Sequence, residues 1–247
     1  MLRSIRTARA TLRSLRIYYG DRKRAAAMDR LYGDFIAAGD LVFDVGAHVG
    51  DRIASFRRLG ARVVAVEPQR AMLRTLRLLY GRDSHVTLEA TAVGRQKGRL
   101  RMLINADNPT VSTASSAFVA AANGAPGWES QRWNEFTDVD VTTLDALIAQ
   151  HGVPAFIKVD VEGFEAEALA GLSQAVRVLS FEFTTIQPDV ALACIARCAE
   201  LGYARFNAAL GESQAMVGEW VSADEIARWL AALPQAANSG DIYARAG

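Results

Sequence analysis

The chain has 247 residues, of which 51% are hydrophobic and 22% charged, and a net charge of +1. That balance excludes a disordered chain, a collagen-like repeat and a coiled-coil rod. The length suits one large domain that buries about 70–75% of its unfolded surface without disulfide or metal staples. No stretch reaches the roughly 18 consecutive apolar residues of a membrane span, and the arginine-rich start has no apolar segment of a secretory signal.

Charge is distributed unevenly. Residues 1–24 hold eight Arg and Lys against Asp21 alone, a local +7 that leaves −6 on the remainder. Leu2, Ile5, Leu12, Leu15 and Tyr19 recur among these arginines at roughly helical spacing, which predicts a basic amphipathic helix. A second helix is expected over 21–38, with Met28, Leu31, Tyr32, Phe35 and Ile36 on its apolar side and Gly39 as its stop. Residues 1–38 therefore read as a basic helical extension, and 39–247 as the main domain.

From residue 41 short apolar strands alternate with helices. Strands are predicted at 41–45, 62–66 and 86–89, and helices at 51–59 and 69–80, closed by Gly60 and Gly81. A strand at 99–104 leads into residues 105–136, rich in Ser, Ala, Gly and Asn, with Trp128 and Trp133 near the end. A connection this long reads as a lid or binding loop. The alternation resumes with strands at 137–142, 155–160 and 177–183 and helices at 143–151, 163–171 and 188–201. The last helix carries Cys194 and Cys198 on one apolar face, the pattern of core thiols in a reducing compartment. Strands at 203–208 and 214–220 predict an antiparallel hairpin turned at Gly211, and Ser222 with Glu225 forms a capping box for a helix at 223–232. The fold class is α/β: a doubly wound, mostly parallel, Rossmann-like sheet covered on both faces, with a terminal antiparallel hairpin and an N-terminal helical extension.

The first candidate site is the turn Asp44-Val45-Gly46-Ala47-His48-Val49-Gly50 between the first strand and its helix. Its glycines let the backbone turn sharply and approach a ligand closely. The Gly-x-x-x-Gly spacing differs from the Gly-x-Gly-x-x-Gly of dinucleotide sites, and no lysine follows as in a P-loop. Glu67 ends the second strand, in Val66-Glu67-Pro68, where a doubly wound sheet sets a carboxylate beside the first turn to accept ribose hydroxyls. Two acids at one mouth, Asp44 and Glu67, suit a cationic nucleoside such as S-adenosylmethionine better than a pyrophosphate. The pattern resembles the cofactor motifs of class I methyltransferases. The resemblance implies cofactor contacts at Asp44, Gly46, Ala47, His48, Gly50, Glu67 and Pro68. Thr91 and Ala92, after the third strand, would take the adenine edge by analogy with that fold.

The second candidate site is the stretch 155–165. Strand alternation places Lys158, Asp160 and Glu162 on one side and Ile157, Val159 and Val161 on the other. Three charges in a doubly covered sheet are costly unless they pair or face a site. The next strand adds Glu182, so a Lys158–Glu182 ion pair is expected, with Asp160 and Glu162 reaching the mouth. Thr143-Leu144-Asp145, Ile157-Lys158-Val159-Asp160-Val161-Glu162-Gly163, Glu165 and Gly171-Leu172 resemble the FkbM-type methyltransferase family over roughly residues 40–185. His48 departs from the asparagine common in such turns.

That resemblance implies S-adenosylmethionine-dependent methyl transfer to a hydroxyl of a sugar, glycan or secondary metabolite. Asp160, Glu162 and Glu182 are the candidates for a general base, or for holding a divalent cation that acidifies the hydroxyl; Lys158 would support them. Asp160 also stands among the cofactor contacts. Ser112, Thr113, Ser115 and Ser116 offer hydroxyls to an acceptor, and Trp128 and Trp133 offer faces to stack on a sugar or anchors for the lid. Two rival classes stay open: a nicotinamide oxidoreductase and a non-catalytic glycan-binding module on the same fold. The basic arm would contact a membrane surface through residues 1–24, or dock on the acidic body or a second subunit; with no aromatic-interleaved motif, nucleic acid is not expected. The expected location is the cytoplasm, with the inner face of the membrane as the peripheral alternative.

Overall fold

The computed structural model describes the backbone of residues 2–246 and the side chains of residue 6 and residues 9–246. Helix α1 (Leu2–Gly20) and helix α2 (Arg22–Gly33) are separated at Asp21, whose carboxylate accepts from the Lys23 and Arg24 N–H groups and so caps α2. The side chains of Leu2 and Ile5, expected on the apolar face of α1, lie outside the described residues. The face that α1 buries is Ala10, Thr11 and Ser14, whereas Leu12 and Tyr19 are exposed. Small side chains allow the helix to lie close to the body, and Leu12 and Ile17 are turned outward.

The main sheet contains β1 (Leu41–Val45), β2 (Arg62–Val66), β3 (Val86–Glu89), β7 (Phe156–Val159), β8 (Val178–Thr184), β9 (Tyr203–Leu210) and β10 (Ser239–Ala246). Their order is β3-β2-β1-β7-β8-β10-β9. The first five strands run parallel, and β10 is antiparallel to both neighbours. Helices α3 (Asp51–Arg58), α4 (Arg70–Tyr80), α6 (Leu144–His151), α7 (Glu165–Leu169), α8 (Pro188–Glu200) and α9 (Ala223–Ala231) flank it. A second sheet joins β4 (Ala92–Val93), β5 (Gly98–Ile104) and β6 (Glu135–Thr142) in the order β4-β6-β5.

The strands alternate as period two requires. Phe43, Ile157, Val159, Leu179 and Phe181 face one apolar layer with α6 to α9. Val42, Val63, Phe156 and Val178 face the other, with Met28, Leu31, Tyr32 and Phe35 of α2 and Ile53 and Phe56 of α3. Helix α2 thus belongs to the same core as the sheet it covers.

The terminal hairpin is a correction. Strand β9 pairs with β10, not with residues 214–220. The latter make only isolated bridges, Ala209 to Met216 and Phe206 to Val221. Strand β10 inserts between β8 and β9, taking the inter-strand hydrogen bonds that a local hairpin would have used. The insertion is ordered around a 3₁₀ turn (Pro109–Val111) and helix α5 (Ser116–Ala122), which Ser115 caps.

Chain order gives the site its place. From β1 the chain moves outward through β2 and β3, then returns to the opposite side of β1 as β7. The crevice beyond the C-terminal ends of β1 and β7 is therefore a topological switch point, where open α/β sheets bind ligands.

Candidate active site

A cavity opens at that switch point. Gly46, Ala47, His48, Glu67, Pro68, Thr91, Ala92, Asp160, Glu162 and Glu182 all contribute to its wall. The two candidate sites read from the sequence therefore converge on one space. Asp44, Gly50 and Lys158 do not form part of the wall. Asp44 and Lys158 are buried behind it, and Gly50 supports the turn through a left-handed backbone packed against Leu76 and Tyr80.

Gly46 explains the close approach of the turn to β7. Its φ is +89°, and a Cβ there would lie 1.7 Å from the Asp160 carbonyl oxygen. Only glycine fits both the conformation and the space. Four N–H groups of the turn are already engaged. Gly46 and Ala47 donate to the Val66 carbonyl, Gly50 donates to the Ala47 carbonyl, and His48 donates to Glu67 Oε2 at 2.9 Å. These four amides are thus not free to cradle a pyrophosphate.

Glu67 fits a nucleoside sugar. Its oxygens accept from the His48 and Gln69 N–H groups at 2.9 and 2.7 Å, which fixes the carboxylate and leaves lone pairs for ribose hydroxyls. Burial pushes its pKa up to about 8, against the two amide donors. Burial likewise lifts Asp44 to about 7. Asp44 Oδ2 and Thr91 Oγ1 are buried with no hydrogen-bond partner among the described residues. Thr91 contributes to the cavity wall, so its orphaned hydroxyl is open to a hydrogen-bonding ligand. His48, lowered to about 4 by burial, is neutral; its Nε2 lies 3.4 Å from Thr110 Oγ1.

The far end of the cavity is acidic. One carboxylate oxygen from each of Asp160, Glu162 and Glu182 lies within 4.8 Å of the others. Lys158 does not pair with Glu182 as expected. It sits opposite Ser180 in the parallel register, so Glu182 lies two residues further along β8, at the mouth. Lys158 Nζ instead donates to Asp160 Oδ2 at 3.1 Å and Asp241 Oδ1 at 2.7 Å. Burial works to raise the Asp160 pKa, but Lys158 and Arg52 outweigh it and hold it below the usual carboxylate range. Burial, and then the Asp160 charge, drive Glu162 and Glu182 well above theirs. Asp160 therefore carries the fixed negative charge of the trio, Glu162 and Glu182 hold their protons more tightly than ordinary carboxyls, and the three titrate as a unit. Glu162 holds this place with φ +56°, and its carbonyl accepts from Thr113 Oγ1 at 2.6 Å.

The family model described as the methyltransferase FkbM domain matches residues 44–236. The chain belongs to the FkbM methyltransferase family. No curated protein matches it in sequence. Similar solved structures include magnesium protoporphyrin IX methyltransferase from Synechocystis PCC 6803 with bound SAM, 10% identical, with a TM-score of 0.46 over 96% of this chain and 84% of that one. A TehB-like SAM-dependent methyltransferase from Corynebacterium glutamicum is 10% identical, with a TM-score of 0.46 over 90% of this chain and 88% of that one. The 1,6-didemethyltoxoflavin-N1-methyltransferase of Burkholderia thailandensis is 12% identical, with a TM-score of 0.45 over 99% of this chain and 87% of that one.

Several parts of this FkbM site carry no motif. Arg52, in the first turn of α3, lies 3.7 Å from Asp160 and 3.9 Å from Glu212. Tyr18 of α1 lines the cavity and meets the His48 ring edge-on at 5.8 Å. Arg24 bridges Asp51 at 2.9 Å and Glu212 at 2.7 Å, so the basic arm docks on acidic groups of its own body. Of the insertion hydroxyls, Ser112 reaches the wall, while Thr113 and Ser115 serve the backbone and Ser116 lies elsewhere. Trp128 forms part of the wall. Trp133 does not: its Nε1 donates to the Val111 carbonyl at 2.7 Å, and its ring packs on Phe118 as a lid anchor.

Proposed function

We propose that this methyltransferase uses S-adenosylmethionine to methylate a hydroxyl oxygen of a sugar, glycan or secondary metabolite. The observation that carries this reading is the acidic trio Asp160, Glu162 and Glu182 at the end of a cavity whose other end is built around Gly46 and Glu67. When bound, S-adenosylmethionine supplies an electrophilic methyl group on a sulfonium. Glu67 would hold the ribose hydroxyls, Thr91 the adenine edge, and Gly46 with Ala47 the surface on which the amino-acid portion lies.

The trio performs the proton chemistry. Asp160, its charge fixed by Lys158, accepts the hydrogen bond of the acceptor hydroxyl and orients the oxygen toward the methyl group. As the methyl–oxygen bond formed and the methyl–sulfonium bond broke, leaving a neutral thioether, the hydroxyl proton would pass to the Asp160 carboxylate, the ionised member of the trio. Glu162 and Glu182, which burial holds toward their protonated forms, face the acceptor's other oxygens as hydrogen-bond partners, a pairing suited to a polyol. Trp128 on the wall gives an aromatic face for a sugar ring.

A second reading is a divalent cation on the same trio. It is favoured by the separation of the three oxygens, and by Glu182 Oε2, which is buried with no hydrogen-bond partner among the described residues. Carboxylate oxygens are the ligands that hard cations take.

The test is transfer of labelled methyl from S-adenosylmethionine across nucleotide sugars, glycans and lipid-linked saccharides, with the product bond identified. Asp160→Asn and Glu162→Gln should keep donor affinity and lose turnover by about 10²–10⁴-fold. Methylation at nitrogen or carbon, or full turnover in both variants, overturns the base assignment. Turnover unchanged by a chelator removes the cation.

A further inference from the structure

Helix α1 carries a face that docking on the body leaves unused. Its buried side is Ala10, Thr11 and Ser14, which turns Leu12 (66% exposed) and Ile17 (57% exposed) to solvent among Arg9, Arg13 and Arg16. Helix α4 packs beside α1 and repeats the composition, with Leu78 88% and Leu79 48% exposed next to Arg74 and Arg77. Neither helix contains an Asp or Glu. Arg9, Arg16, Arg74 and Arg77 have no ion-pair partner among the described residues.

We infer that the adjoining outer faces of α1 and α4 form a docking surface for an anionic lipid bilayer. Exposed leucine and isoleucine side chains separated by arginines match the two interactions that hold a helix in the headgroup region, apolar burial and attraction to anionic lipid. A nucleic acid would use the arginines and leave Leu78 without a role. A second copy of the same surface would set arginine against arginine. Tyr18, on the inner side of α1, lines the cavity, so docking by this face brings the cavity close to the bilayer. The inference does not depend on which group is methylated.

Co-sedimentation tests it with the full chain. Vesicles of phosphatidylcholine with about one-third phosphatidylglycerol should carry the protein down, and pure phosphatidylcholine vesicles should not. The triple variant Arg9→Gln, Arg16→Gln, Arg77→Gln should bind the anionic vesicles about 100-fold more weakly. The pair Leu12→Ser, Leu78→Ser should lose the part of binding that survives raised salt. All five side chains are exposed, and an unchanged circular dichroism spectrum establishes that the variants fold. Failure of the full chain to sediment, equal binding to neutral vesicles, an unaffected triple variant, or tighter binding to duplex DNA than to the anionic vesicles overturns the assignment.

Discussion

Lys158 Nζ on β7 lies 2.7 Å from Asp241 Oδ1 on β10, across the intervening strand β8. The pair joins residues 83 positions apart and, with the 3.1 Å contact to Asp160, neutralises a fully buried lysine. Removing one partner from such a pair leaves an uncompensated buried charge. Lys158→Met should therefore lower stability by about 3–5 kcal/mol, measured by denaturant unfolding. It should also release Asp160 toward the higher proton affinity of its neighbours and move the acid limb of the pH–rate profile upward. Unchanged stability would show that Asp241 and Asp160 have other partners.

The close approach at Gly46 predicts a steep size dependence. Gly46→Ala forces a Cβ to 1.7 Å from the Asp160 carbonyl, so β1 and β7 must separate at the mouth. Donor binding, followed by calorimetry, should be lost. Gly124→Ala has a similar φ of +80° and nothing within 4 Å. It bears only the left-handed backbone cost, about 1–2 kcal/mol, and should bind the donor normally. Equal behaviour of the two variants contradicts the packing described.

Stability should depend on pH in an unusual direction. Glu67, with an ordinary value of 4.5, is raised to about 8 in the folded state, and Asp44 is raised from 3.8 to about 7. Between those values the folded chain binds more protons than the unfolded one, so stability falls as pH rises through the window. His48, lowered from 6.5 to about 4, acts oppositely below pH 6.5. The unliganded protein should thus melt lower at pH 8 than at pH 6.5, and Glu67→Gln should reduce the difference. A midpoint that rises over that interval contradicts the burial of these acids.

Thr113 ties the insertion to the trio. Its hydroxyl donates to the Glu162 carbonyl at 2.6 Å and is completely buried. Thr113→Val keeps the shape, removes the donor and should cost about 1–3 kcal/mol. Because Glu162 has a positive φ held by this contact, turnover should fall more than donor affinity. A loss of donor affinity alone would place the role of Thr113 elsewhere.

The parts of the fold legible in the sequence are those governed by local rules. The turn at 44–50 announces itself by glycines between an apolar strand and a helix. The charged face of 158–162 follows from strand alternation, which holds whatever the neighbours are. The errors concern choices between distant segments. Residues 203–210 pair with 239–246, not with the nearer 214–220. The local sequence Ser-Gly-Asp-Ile-Tyr does not announce a buried strand, because what stabilises it is two flanking strands and the Lys158 ammonium. The Lys158–Glu182 expectation failed on register: periodicity gives the face of each strand and says nothing of its offset along the next. On α1, spacing selected large apolar residues, whereas close docking selected Ala10, Thr11 and Ser14. Arg52, Tyr18 and Glu212 carried no motif because their roles arise from where three separate elements meet.

The convergence of the glycine turn, Glu67 and the acidic trio on one donor pocket is tested most directly by calorimetric titration with S-adenosylmethionine, repeated with NADH. Wild-type protein should bind one equivalent of S-adenosylmethionine and no NADH, and Glu67→Gln should weaken the donor at least about tenfold, as expected when a buried hydrogen-bond acceptor is lost. Binding of NADH in place of S-adenosylmethionine, or a Glu67→Gln variant that binds the donor as tightly as wild type, would contradict the account.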